Sequence, residues 1–249
     1  MTTPLVLRLA PLALWLSLHA LPAHAQPWPA PIQALEAQGY EILGSFPGPS
    51  GLTGYASLYL GRPQAVYLTA DGQQAIVGNV TDANGEKWNS ELLDRQFSAA
   101  LWRQLETSHW IADGKTGAQR VIYTFTDPNC PYCRQLWRDA RPWVQAGKVQ
   151  IRHILVGLLA EDRPAKAAAL LAAPDPAAAL ARHEAGASIQ PLAKPPAAVS
   201  AKLAANQQLM ERFGVFATPA SFYRDAQGQL QKVQGAPTAA TLQKLLGPR

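Results

Sequence analysis

Cysteine is nearly absent from this chain. Its 249 residues include two, Cys130 and Cys133, separated by Pro131 and Tyr132. That excludes a fold stapled by several disulfides and a zinc site built from cysteine alone, which needs four. Histidine does not fill the gap, because His109, His153 and His183 form no close pair in the sequence. Covalent haem would need a histidine directly after Cys133, and Arg134 stands there. Basic clusters are missing too. The formal net charge is +5, charged residues make up 16%, and no Lys/Arg run or basic stripe interleaved with aromatics occurs. Nucleic acid is therefore not an expected partner. After residue 25 no apolar run is long enough to read as a membrane helix.

What is present begins with a leader. Arg8 precedes an apolar stretch, Leu9 to Leu18, and Ala23-His24-Ala25 has the small-x-small pattern of a cleavage site. Residues 1–25 read as a signal peptide, so the mature chain is expected in an exported, oxidising compartment where cysteine pairs persist.

Residues 26–87 read as a small β-rich unit. Glu41 to Phe46, Tyr55 to Leu60, Ala65 to Thr69 and Ala75 to Val80 have strand composition, with Asp71-Gly72 as a turn between the last two. A unit this small without disulfide or metal has a marginal core, and its strand edges invite pairing with a second copy. Residues 88–112 follow as a linker helix. Leu92, Leu93, Gln96, Phe97, Ala100, Leu101 and Leu105 recur at helical spacing out to Trp110, with Asn89 or Ser90 as cap. A helix here would act as a stiff spacer. Residues 113–249 carry a β-α-β crossover, an Ala-, Leu- and Pro-rich helical insertion over about 160–212, and a closing hairpin and helix. The chain returns to β over Gly214 to Tyr223, where Thr218-Pro219 precedes a strand, a place where proline often marks a special peptide bond. His153 lies in the second crossover strand and reads as structural.

The two cysteines sit where Val121 to Phe125, a strand, gives way to a helix carrying Cys133, Leu136, Trp137, Ala140 and Val144 on one face. Pro131 suits the first helical position, where a missing N–H costs nothing. A cysteine at a helix start faces unpaired N–H groups and the positive end of the helix dipole. Both favour thiolate, the form that attacks sulfur. Cys130 is so placed. Cys133, one turn in, is expected to be less exposed and able to resolve a mixed disulfide on Cys130. A purely structural disulfide would close so short a loop that it restrains little unfolded-state entropy.

Strand, CxxC, helix, β-α-β, helical insert and a late Thr-Pro together resemble the thioredoxin fold. Asp127-Pro128-Asn129-Cys130-Pro131-Tyr132-Cys133, with a leader and a preceding β unit, is similar to the periplasmic thiol:disulfide interchange proteins of the DsbC/DsbG family. Ser108 to Lys115, Ala140 to Val144 and Val66 to Thr69 carry the likeness across the mature chain. The resemblance implies an α+β fold. It would comprise an N-terminal dimerisation domain, a helical linker and a thioredoxin-like catalytic domain, assembled as a V-shaped homodimer. It implies Cys130 as nucleophile, Cys133 as resolving cysteine, Pro131 and Tyr132 as supporting residues, Pro219 as a cis-proline facing the pair, and Thr218 touching the Cys130 sulfur. The redox-active Cys130–Cys133 disulfide would be the sole redox group, with no metal or bound cofactor. The membrane reductase DsbD would keep the pair reduced. Substrates would be exported proteins with sulfenylated cysteines or non-native disulfides. Two other readings stay open: a dimeric chaperone with little redox turnover, and a dithiol oxidase.

Overall fold

The computed structural model describes residues 27–88, 90–157 and 163–248. The leader reading and the Asn89 cap lie outside the described residues, as does the Ser90 side chain. The fold is mixed α+β, with two sheets joined by one long helix.

Helix α1 (Ala30–Ala37) buries Ile32 and leads into four antiparallel strands. These are β1 (Tyr40–Pro47), β2 (Thr53–Tyr59), β3 (Arg62–Leu68) and β4 (Ala75–Val77), paired in chain order. The β2–β3 turn puts Leu60 and Gly61 at φ of 52° and 77°, the left-handed pair that a tight hairpin demands. Gly54 in β2 pairs with Phe46 on one side and Tyr67 on the other. Those two rings meet edge to face, centroids 5.8 Å apart, across the space that a side chain at Gly54 would occupy.

Helix α2 (Ser90–Glu106) is shared between the two halves. Leu93 joins the core of the first sheet with Phe46, Ala56, Ala65 and Tyr67. Trp102 and Leu105 enter the core of the second sheet with Tyr123, Phe125, Ile154 and Phe222. The helix is therefore packed along its length, against the core of each sheet in turn. It also ends earlier than its sequence pattern suggested. The Thr107 and Ser108 hydroxyls bond back to the Arg103 and Leu105 carbonyls and close the last turn. Trp110–Asp113 then forms a strand, β5.

The second sheet has the order β5-β7-β6-β8-β9, with β6 (Arg120–Thr126), β7 (Val149–Leu155), β8 (Ala220–Arg224) and β9 (Leu230–Gln234). Only β6 and β7 run parallel, joined by α3 (Pro131–Gln145). Strand β6 is buried on both faces. Ile122 meets Leu136, Ala140 and Trp143 of α3 and Leu242 and Leu245 of α7 (Ala239–Leu246). Tyr123 and Phe125 meet α2 and the Leu209-Met210 end of α6 (Ala197–Arg212). Strand β8 begins at Ala220, directly after Pro219 as the sequence suggested, and residues 214–219 form the loop before it. The insertion contributes α4 (Arg163–Leu171) and α5 (Pro176–Glu184), whose Ala167, Leu170, Ala179 and Leu180 pack on Ile111 and Leu155. Among the described residues no helix is long and apolar enough to cross a membrane.

Gly54→Ala tests the packing of the first sheet. The added carbon would come within 2.1 Å of the Phe46 ring, so the ring must leave its place against Tyr67. We expect a loss of about 1–3 kcal/mol in urea unfolding. The midpoint should fall while the cysteine chemistry of the folded protein is unchanged.

Candidate functional site

Between the end of β6 and the start of α3 lies a four-residue loop. Asp127 shapes it: its carboxylate accepts from Asn129 N at 2.7 Å and its carbonyl from Cys130 N at 3.0 Å. The loop delivers Cys130 to the N-cap of α3 in an extended conformation, and Pro131 opens the helix. Tyr132 projects outward and is 58% exposed. Cys130 and Cys133 are both thiols, 4% and 2% exposed. The difference in exposure foreseen between them is therefore small, and what separates them is their hydrogen bonding.

Cys130 is held at about 6, well below the ordinary 9.0. The main cause is a hydrogen bond from the Cys133 side chain. Burial opposes it, while the Thr218 side chain and the backbone N–H groups of Cys133 and Tyr132 add to it. Cys133 is pushed far upward, first by burial and then by the charge and hydrogen-bond demand of Cys130. At neutral pH the arrangement therefore holds one thiolate, on Cys130, and one thiol, on Cys133.

Across from the pair, the Thr218–Pro219 peptide bond is cis. The Cys130 thiol donates to the Thr218 carbonyl at 3.2 Å. The Thr218 hydroxyl is buried and has no hydrogen-bond partner among the described residues. So Thr218 meets the Cys130 sulfur, but through its carbonyl when the sulfur is protonated. The hydroxyl is left as a donor for a thiolate or for an incoming oxygen. Phe216, 81% exposed, stands two residues before Thr218.

The insertion also reaches this loop. His183 Nε2 is hydrogen-bonded to Pro128 O at 2.7 Å, and Lys166 Nζ donates to Asn129 Oδ1 at 2.8 Å. Behind the loop is a polar cluster. Arg141 pairs with Asp113 through both guanidinium nitrogens, one of them at 3.0 Å. His153 Nε2 lies 3.6 Å from the same carboxylate, an ion-pair distance too long for a hydrogen bond. His153 Nδ1 is 2.9 Å from Thr126 Oγ1. Burial would raise the Asp113 pKa, but His153 and Arg141 outweigh it and hold the carboxyl at about 2. Asp113 is thus a charged support of β5 and α3. Lys166 and His183 carried no readable motif. The one signal was an adjacent His183-Glu184 pair in an otherwise Ala- and Leu-rich helix. No group of three His, Cys, Asp or Glu residues is arranged to hold a metal among the described residues.

Residues 111–248 match the thioredoxin-like domain family. The chain is 51% identical over 232 residues to the thiol:disulfide interchange protein DsbG of Pseudomonas aeruginosa, covering 90% of this chain and 91% of that one. It is 40% identical over 233 residues to the protein of the same name in Escherichia coli, covering 90% and 94%. Among solved structures it is similar to the catalytic domain of Proteus mirabilis ScsC. The TM-score is 0.52 and the identity 22%, over 61% of this chain and 96% of that one, which speaks for the fold alone.

Two titrations test this geometry. Thiolate absorbance near 240 nm, roughly where thiol does not absorb, should rise with a midpoint near 6 in the wild type. Cys133→Ala removes the main donor and should move that midpoint upward. An unmoved midpoint would show that the helix start alone sets the thiolate. The depressed Asp113 carboxyl contributes stability that is full above its unfolded value of 3.8 and is lost as pH falls through about 2. The loss is on the order of 2 kcal/mol. Asp113→Asn should flatten the acid limb of the unfolding curve across that window.

Proposed function

The chain belongs to the DsbG family of thiol:disulfide interchange proteins, and from that premise we propose that it is a periplasmic oxidoreductase acting through Cys130 and Cys133. It reduces sulfenylated cysteines of exported proteins and reopens their non-native disulfides. The observation that carries this reading is the split pair: a sulfur held near 6 at a helix start, with a proton-bearing sulfur one turn behind it.

The Cys130 thiolate attacks the sulfur of a substrate sulfenic acid. The S–O bond breaks and the oxygen leaves as water after taking up a proton, giving a mixed disulfide. The Cys133 sulfur then attacks Cys130. The mixed S–S bond breaks, the substrate leaves as a thiol, and Cys130–Cys133 becomes a disulfide. A non-native disulfide enters by the same first attack, with a thiolate leaving instead of hydroxide. Catching sulfenic acid early matters because the higher oxidation states are essentially irreversible. The buried, unpartnered Thr218 hydroxyl supports a role in receiving the sulfenic oxygen. DsbD is the proposed electron source that returns the pair to its reduced state. The exposed Leu60, Ile76, Val77 and Trp88 of the first sheet and its following segment support assembly as a homodimer.

One observation favours an oxidase instead. A low thiolate pKa stabilises the reduced pair and makes its disulfide more oxidising. Rapid alkylation of thiols in intact cells separates the two: a pool trapped mostly reduced fits the reductase, and one trapped mostly oxidised fits the oxidase.

Cys133→Ser should accumulate substrates as mixed disulfides through Cys130, and Cys130→Ser should accumulate none; a reversed pattern refutes the roles. Thr218→Val keeps the branched shape without the hydroxyl. It should slow reduction of a sulfenylated protein by roughly tenfold, the worth of one hydrogen bond to a developing charge. Reduction of a plain disulfide should slow less.

A further inference from the structure

The loop that delivers Cys130 is bonded at its start to its own sheet. Val156 N donates to Thr126 O at 3.0 Å, and Asp127 takes the N–H groups of Asn129 and Cys130. Two further polar groups of the loop, the Pro128 carbonyl and the Asn129 side chain, are engaged by the helical insertion. His183 of α5 reaches the first at 2.7 Å, and Lys166 of α4 reaches the second at 2.8 Å. A carbonyl only accepts, so His183 Nε2 carries a proton and donates it. The ring is 6% exposed, and its Nδ1 has no partner among the described residues. A buried polar atom without a partner costs stability, and an apolar side chain would fill this place at lower cost. What the histidine adds is its one bond, to the loop. We propose that His183 is a positioning residue of the redox pair: together with Lys166 it locks the loop in the form that the reduced pair needs, and so makes the disulfide more oxidising.

Both ties to the loop are present with the two cysteines as thiols, so they belong to the reduced pair. In that state nothing covalent joins the sulfurs. Cys130 must keep its extended N-cap conformation. Only then does its thiol stay beside the Thr218 carbonyl, 3.2 Å away, and its thiolate face the N–H groups of Tyr132 and Cys133. Hydrogen bonds weaken steeply as their angle closes, so a loop that tilts loses them. In the oxidised pair the S–S bond links Cys130 to Cys133 and holds the N-cap by itself. The ties at Pro128 and Asn129 therefore stabilise the reduced form more than the disulfide. A pair whose reduced form is stabilised is the stronger oxidant. The exchange itself keeps its balance: two protein thiols and one oxidised glutathione become one protein disulfide and two reduced glutathiones. The insertion acts on that equilibrium through the backbone of the loop.

The inference rests on Cys130 and Cys133 forming a reversible disulfide, and its test needs no substrate protein. The full chain is equilibrated with reduced and oxidised glutathione at fixed pH, as wild type, His183→Leu and His183→Gln. His183→Leu removes the donor and should shift the equilibrium toward the protein disulfide by about tenfold, a potential roughly 30 mV lower. His183→Gln keeps an N–H donor and should stay near the wild type. Urea unfolding should show the reduced form of His183→Leu losing more stability than the oxidised form. A contact that only packs the insertion would weaken both forms equally and leave the potential in place. An unmoved potential in folded His183→Leu overturns the proposal. So does a His183→Gln potential displaced as far as that of His183→Leu. Should His183→Leu fail to fold, Lys166→Met decides: a shift in the same direction upholds the proposal and an unmoved potential overturns it. A wild type that forms no disulfide with glutathione would overturn the proposed function as well, whereas normal exchange with unmoved variants overturns this inference alone.

Discussion

Two sulfurs one helical turn apart cannot be solvated alike when one caps the helix and the other points into the core. That inequality governs this protein. The capping sulfur is favoured as a thiolate by the Cys133 side chain first, with two backbone N–H groups and the facing Thr218 hydroxyl, free to donate, adding to it. The inner sulfur collects little beyond burial. Each stabilises the other's state: a thiolate on Cys130 needs a donor, and Cys133 can donate only while it keeps its proton. The pair is thus a single acid with an assigned location for its charge.

The rest of the chain holds that inequality in place. Strand β6 is buried on both faces, so its end is fixed in space and the loop after it has little freedom. Asp127 turns the loop with its side chain and its carbonyl, and the insertion grips it at Pro128 and Asn129. Beneath α3, Arg141 is stacked on Trp137 at 4.0 Å and paired with Asp113. The helix and the edge strand β5 therefore cannot shift independently. On the outer face Tyr132 and Phe216 remain exposed.

The parts legible in the sequence were those set by local chemistry. The strand–CxxC–helix junction announced itself through β-branched residues, Pro131 and a clean helical face. The first sheet was visible in its strand composition and its Asp71-Gly72 turn. Less legible was anything decided by a distant partner. Trp110 continued a helical pattern, and only pairing with β7 makes it a strand. Pro219 marked where β8 begins, but how the loop before it sits against the two cysteines is decided by packing across the sheet. The insertion was opaque because alanine-rich helices say nothing about what their few polar residues face. His183 and Lys166 gain meaning only once α4 and α5 are folded against the loop at Pro128 and Asn129.

The position of α2 in two cores at once changes where this chain could be divided. A boundary drawn at Ile111, where the match to the thioredoxin-like domain family begins, would strip Trp102 and Leu105 from the sheet they cover and expose Tyr123 and Phe125. A boundary drawn before Ser90 would keep that core whole. It would instead take Leu93 from beneath Phe46 and Tyr67. The Ser98 hydroxyl, bonded to Gln229 and Leu230 of the closing hairpin, adds a polar stitch on the thioredoxin-like side. Modularity here is asymmetric. The smaller sheet lends its neighbour a helix it also needs, so the thioredoxin-like half can be excised only by taking part of its partner's foundation with it.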